Sequence, residues 1–286
     1  MPTRPVMRLL PATAQEAFDQ QPLHVWLLPD ASPWCEIHHQ SDAYHMRFPR
    51  LADFIVRASG EVECYPVPGI DESTLQHLHL NQVVPAALSL QHRPVFHASG
   101  VVMGDSAVVF LGESGRGKST LATYLGRAGH PLLTDDGLEL RWTHDRYSAI
   151  PSPSGVRLWA DSQYALLPQD ATAEPRLSYT PKNRFFGDGL IPFAHEPAPM
   201  RRAYFLGEGN VEAVTITAMS PREAHIAWVK HSFLLDVRNK ALIKAQFEQV
   251  AKLAALGISY VLDYPRRYEA LLSVEEAVRD HLPRGA

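Results

Sequence analysis

The chain has 286 residues, of which 45% are hydrophobic and 20% charged, with a net charge of -4. That balance belongs to a folded globular protein with a sizeable core, and it excludes bulk electrostatic attraction to nucleic acid. Two cysteines, Cys35 and Cys64, are too few for a disulfide framework or a four-ligand zinc site.

The N-terminus "MPTRPVMRLLPATAQEAFDQ" has no apolar run of signal-peptide length, and no stretch is apolar enough to span a bilayer. The expectation is a cytoplasmic protein with no membrane or nucleic-acid partner. Between residues 24 and 68, "HVWLLP", "CEIHHQ", "YHMRF", "ADFIVRAS" and "EVECYPV" read as short strands of a small antiparallel sheet. "DESTLQHLHLNQVVPAALSL" has helical spacing interrupted by Pro85. A domain boundary is expected near it, with a β-rich domain over 1–85 and a larger one over 86–286.

In "SAVVFLGESGRGKSTLATYLGRAG" a buried strand runs into a glycine turn and then a helix that ends at Gly129. "HPLLTDDGLELRW", "YSAIPSPSGVRLW", "PMRRAYFLGEG" and "VEAVTITAMS" supply further strands. "SPREAHIAWVKHSF" and "NKALIKAQFEQVAKLAALG" read as helices, and "ISYVLDYPRRYEALLSVEEAVRDHL" as a strand and a terminal helix. Alternation of strands and helices predicts an α/β core. The polar, proline-rich stretch from Ser178 to Pro199 reads as a functional loop.

"GESGRGKS" fits G-x-x-x-x-G-K-[ST], running Gly112, Glu113, Ser114, Gly115, Arg116, Gly117, Lys118, Ser119, with Thr120 next. Backbone N–H groups at the start of a helix converge on phosphate oxygens there, aided by the helix dipole. Lys118 is placed to neutralise the β- and γ-phosphates of ATP or another nucleoside triphosphate, and the Ser119 hydroxyl to ligate Mg²⁺. Asp135 and Asp136 close the next strand, "PLLTDD". Adjacent carboxylates can divide the work, one taking metal and the other a proton from an attacking hydroxyl; "DDG" is also good turn chemistry. His97 is placed to orient the basic carboxylate or to touch the γ-phosphate, although a lone histidine is more often structural. Lys182 and Arg184 in "YTPKNRFF" and Arg157 in "SGVRLW" are candidates for neutralising transferred phosphate, against the bland alternative of a solvated loop. Arg201, Arg202, Arg266 and Arg267 receive no role.

"HAS", "GESGRGKS" and "LLTDD", in that order, resemble the catalytic domain of the HPr kinase/phosphorylase family. The resemblance is specific over about residues 95–140 and diffuse beyond. It implies a nucleotide-binding core of the HPr kinase/PEP carboxykinase type behind a small β-rich N-terminal domain. It also implies that Lys118 and Ser119 bind phosphate and metal, that Asp135 is the base with His97 behind it, and that Asp136 assists metal or phosphate. The glycine-rich signature that follows the aspartates in the bifunctional enzymes is replaced by "IPSPSGVRLWADS", so phosphorylase activity is not expected. "MRFPRLADFIVRASGEVECYPVP" ahead of "VFHASGV" looks like the compact relatives encoded with peptide-modifying systems, above all the lasso-peptide precursor kinases, which phosphorylate a C-terminal serine. The expected partner is therefore a peptide or small protein carrying an acceptor serine. Two alternatives stay open: a kinase of the same core acting on an HPr-like protein or a small molecule, and a nucleotide-dependent regulator without catalysis. Oligomeric state stays open between monomer and homo-oligomer.

Overall fold

The computed structural model describes residues 4–28, 30–143, 145–152, 155–169, 171, 183–185 and 191–283. It is a mixed α/β structure whose chain divides into two compact units, Met1–Pro94 with Phe233–Gln246, and Val95–Ser232 with Phe247–Ala286.

The first unit carries β1 (Val6–Leu9), β2 (His24–Leu27), β3 (Pro33–Gln40), β4 (Ala43–Phe48), β5 (Ala52–Arg57) and β6 (Glu61–Pro66), then α1 (Glu72–Leu78) and α2 (Val84–Leu90). The strands form one sheet in the order β1-β6-β5-β4-β3-β2, antiparallel except for the β1–β6 pair. Sequence reading missed β1, whose residues "VMRL" carry almost no burial pattern. Pro85 does not break the helical stretch: a π-helical turn over His79–Val83 precedes it, and it sits in the first turn of α2, where its missing N–H costs nothing. The first unit also runs past the expected limit of residue 85. Ser89 Oγ accepts the Leu235 N–H at 3.2 Å and Tyr44 Oη donates to Asp236 Oδ2 at 2.7 Å, which ties the returning segment 233–246 to it. No local pattern announces a return over more than a hundred residues.

The second unit contains β7 (Val95–Phe96), β8 (Ala98–Met103), β9 (Ser106–Leu111), α3 (Lys118–Arg127), β10 (Leu132–Thr134), β11 (Leu138–Thr143), β12 (Arg146–Ile150) and β13 (Val156–Leu158). It continues with α4 (Ala160–Leu166), β14 (Asn183–Phe185), β15 (Ala198–Leu206), β16 (Thr215–Ala218), α5 (Pro221–Lys230), α6 (Lys240–Ala254, of which the residues up to Gln246 belong to the first unit), β17 (Ser259–Asp263) and α7 (Leu271–His281). Strand β9 is buried along its whole length and lies between β8, antiparallel, and β15, parallel. β17 runs parallel to β15 in turn. One side of the sheet packs Phe110, Tyr204 and Leu262 against Leu121 and Leu125 of α3 and Val274 and Val278 of α7. The other packs Val109, Leu111 and Phe205 against Trp228 of α5 and Val250 and Leu253 of α6. Strands β13 and β14 pair as a separate two-stranded ribbon.

Candidate active site

The register of three strands assembles the site. Ala98 of β8 stands opposite Leu111 at the end of β9, so His97 falls beside the start of the glycine turn. Thr134 of β10 pairs with Gly100 of β8, which brings the next residues, Asp135 and Asp136, to the same edge. On its other side Gly100 packs closely on β9: a Cβ there would lie 3.1 Å from Val109 Cγ1 and 3.2 Å from the Val108 carbonyl. Three motifs separated in the chain therefore end at one place.

The turn enters α3 through Gly117, at φ 90° in the left-handed region, where glycine is unstrained. The first N–H groups of a helix have no partner within it, and such helix starts bind anions. Lys118 is buried, and its Nζ donates to the carbonyls of Gly112 at 2.8 Å and Glu113 at 3.1 Å. Glu113 pairs with Lys230 at 2.6 Å and Arg116 with Glu208 at 3.2 Å, which fixes the outer side of the turn.

Asp135 is 2% exposed. Its Oδ1 accepts from Ser119 Oγ at 2.8 Å and from Ser99 Oγ at 2.6 Å, while Oδ2 accepts the Arg157 backbone N–H at 3.2 Å. Asp136, two residues past the end of β10, has φ 74°, a conformation aspartate tolerates better than most side chains. The Asp136 carboxylate pairs with the Arg157 guanidinium. His97 Nδ1 donates to the Asp136 carbonyl at 3.1 Å, and its Nε2 lies 3.9 Å from Asp136 Oδ1. The sequence placed His97 behind Asp135 and Asp136 at the metal; the structure brings His97 to the Asp136 carbonyl and Ser119 to the Asp135 carboxylate.

A cleft of about 270 Å³ gathers Ser114, Gly115, Lys118, Ser119, Thr120, His97, Asp136 and Arg157. Trp159, Tyr264, Arg266, Arg267, Tyr268 and Leu271 line it with them, an aromatic and cationic wall to which sequence reasoning assigned nothing. One signal could have found it: "DYPRRY" follows a strand, and β9, β15 and β17 are parallel, so residues after β17 emerge at the edge where the turn follows β9. Arg266 lies 4.0 Å over the Tyr264 ring and donates to the Gly207 carbonyl at 2.6 Å. Tyr268 Oη donates to Asp161 Oδ2 at 3.0 Å and meets Ser162, which meets Thr120 at the start of α3. Arg184 stands opposite Arg157 in the β13–β14 ribbon, although its side chain lies outside the described structure. Lys182 lies outside the described residues altogether.

The residues fit a hydrated divalent cation. A hydroxyl and a carboxylate, Ser119 and Asp135, are held within hydrogen-bond distance of each other beside the turn, and hard oxygen donors of this kind suit Mg²⁺. Among the described residues, no helix is long and apolar enough to cross a membrane.

No family model matches the chain, and no curated protein matches it. Among solved structures it is similar to the Hpr(Ser) kinase/phosphatase from Coxiella burnetii, at 14% identity over 65% of this chain and 95% of that one, with a TM-score of 0.34. That score is too low to establish a shared fold, so the site's chemistry stands on its own geometry.

Proposed function

We propose that the protein is an ATP- and Mg²⁺-dependent kinase that transfers the γ-phosphoryl group to a serine hydroxyl of a peptide, the C-terminal serine of a lasso-peptide precursor. One observation carries the reading. Two adjacent carboxylates meet at one glycine turn, Asp135 joined to Ser119 and to the Arg157 N–H, and Asp136 paired with the Arg157 guanidinium beside His97.

In this mechanism the N–H groups of the turn and Lys118 hold the β- and γ-phosphates. Ser119 and Asp135 would hold Mg²⁺, which when bound neutralises charge on the phosphate oxygens. Asp136 accepts the proton of the attacking hydroxyl, and His97 orients Asp136 through its carbonyl. Arg157 neutralises charge on the equatorial oxygens. The serine oxygen bonds to the γ-phosphorus as its bond to the β-phosphate oxygen breaks, leaving ADP and a phosphoserine peptide, with the proton passing from Asp136 to solvent. The aromatic wall of Tyr264 and Tyr268 suits the flat base of a nucleotide.

The test is mass spectrometry of candidate precursor peptides incubated with the protein, ATP and Mg²⁺. A gain of one phosphoryl group at serine is expected, appearing about 10²–10⁴-fold more slowly in an Asp136→Asn sample that still binds ATP. Transfer to a small molecule or an HPr-like protein alone would replace the acceptor; ATP binding without transfer to any acceptor would leave a nucleotide-dependent regulator.

A further inference from the structure

The first unit holds a cleft of its own, about 770 Å³, on one face of its sheet. Ile37, Tyr44, Met46 and Phe54 point from that sheet into the core, so by strand alternation His38, His45, Arg47 and Asp53 point the other way. The segment Thr13–Gln21 crosses these side chains and forms one wall of the cleft. Its main chain is bound: the Thr13 N–H donates to the Pro66 carbonyl at 2.9 Å, and Arg47 donates to the Glu16 carbonyl. The Phe18 ring stacks on His38 with centroids 3.8 Å apart, and the Arg47 guanidinium lies 4.1 Å over it.

Beneath Phe18 the polar accounting does not close. The His38 side chain is 5% exposed, and neither ring nitrogen has a hydrogen-bond partner; the nearest carboxylate oxygen, of Glu36, is 3.9 Å away. Burial holds its pKa below the ordinary value, so the ring is neutral and offers one N–H and one lone pair. Buried groups of this kind normally have partners. A peptide unit supplies the complementary pair, one carbonyl and one N–H. The surrounding charges do not favour an anion, because Arg47 is committed to Asp53 at 2.8 Å and Glu16 and Asp19 share the wall.

We propose that this cleft binds an extended peptide, whose main chain hydrogen-bonds His38 and whose aromatic side chain takes the place of Phe18. The inference deepens the reading of the protein as a peptide kinase and rests on it: the cleft would recruit a part of the acceptor other than the serine that reacts.

The experiment passes a pool of short random-sequence peptides, each with one fixed serine and one fixed phenylalanine, over immobilised wild-type, Lys118→Ala, His38→Leu and His38→Gln proteins. Wild type and Lys118→Ala should retain the same peptides. His38→Leu should lose them by about tenfold or more, the weight of a buried hydrogen-bonded amide, while melting at or above the wild-type temperature because an unpaired polar group is gone. Glutamine keeps one donor and one acceptor, and His38→Gln should restore capture. No retention by wild type, or equal retention by His38→Leu, overturns the proposal. If peptides are retained through His38 but none gains phosphate, the kinase reading fails and the peptide site stands.

Discussion

Ser99 on β8 and Ser119 on α3 donate to the same oxygen of Asp135, at 2.6 and 2.8 Å. That shared acceptor ties the glycine turn to the neighbouring strand and uses up one side of the Asp135 carboxylate. Asp136, one residue on, lines the cleft instead. The two carboxylates should therefore fail differently. Asp135→Asn should weaken Mg²⁺-supported ATP binding by about 10–100-fold, the usual cost of disturbing a metal's supporting shell. Asp136→Asn should keep that affinity and slow transfer by about 10²–10⁴-fold. Calorimetry with single-turnover transfer separates them; the reverse pattern would return the base to Asp135.

Lys118 is the buried cation of the turn. Lys118→Met should lower ATP affinity by at least about tenfold, since it removes a charge-assisted contact to phosphate. Titration with ATP at fixed Mg²⁺ measures it, and an unchanged affinity would remove the phosphate cradle from this turn.

Arg266 braces the aromatic wall through the Tyr264 ring and the Gly207 carbonyl. If that wall holds the base, Arg266→Ala should cost about 1 kcal/mol, or about fivefold in ATP affinity, and leave affinity for inorganic triphosphate unchanged. An equal loss for both ligands would show that Arg266 serves the phosphates.

Burial pushes His79 and His231 down from the ordinary 6.5 to about 4, with the charges of Lys118 and Lys230 adding to the effect at His231. Their folded pKa lies below the unfolded one, so the unfolded chain takes up the protons first. Stability should be fully present above pH about 6.5 and be lost as pH falls toward about 4. Urea midpoints across that range should decline, and His79→Leu should flatten the slope. A midpoint that holds steady down to pH about 4 contradicts the buried neutral state of both residues.

Local chemistry made part of this protein readable from its sequence. Alternating apolar residues mark β2 to β6, and a buried run, a glycine turn and a helical run place the "GESGRGKS" stretch between β9 and α3. These are short-range signals, in which hydrophobic period and backbone freedom act within a few residues.

What joins the motifs is set by strand register and chain return, which leave no local trace. The pairing of Ala98 with Leu111 and of Thr134 with Gly100 decides that His97 and the aspartates meet the turn at all. The fold sets Ser119 on the Asp135 carboxylate and His97 on the carbonyl of the left-handed residue Asp136. The parallel run of β9, β15 and β17 brings Tyr264 and Arg266 to a turn 150 residues earlier in the chain. The sequence alone thus determined which residues can do chemistry here, because residue type and local backbone are written in it. Their partners were decided by the tertiary structure, because contacts between distant segments follow from how the whole sheet closes its hydrogen bonds and buries its core.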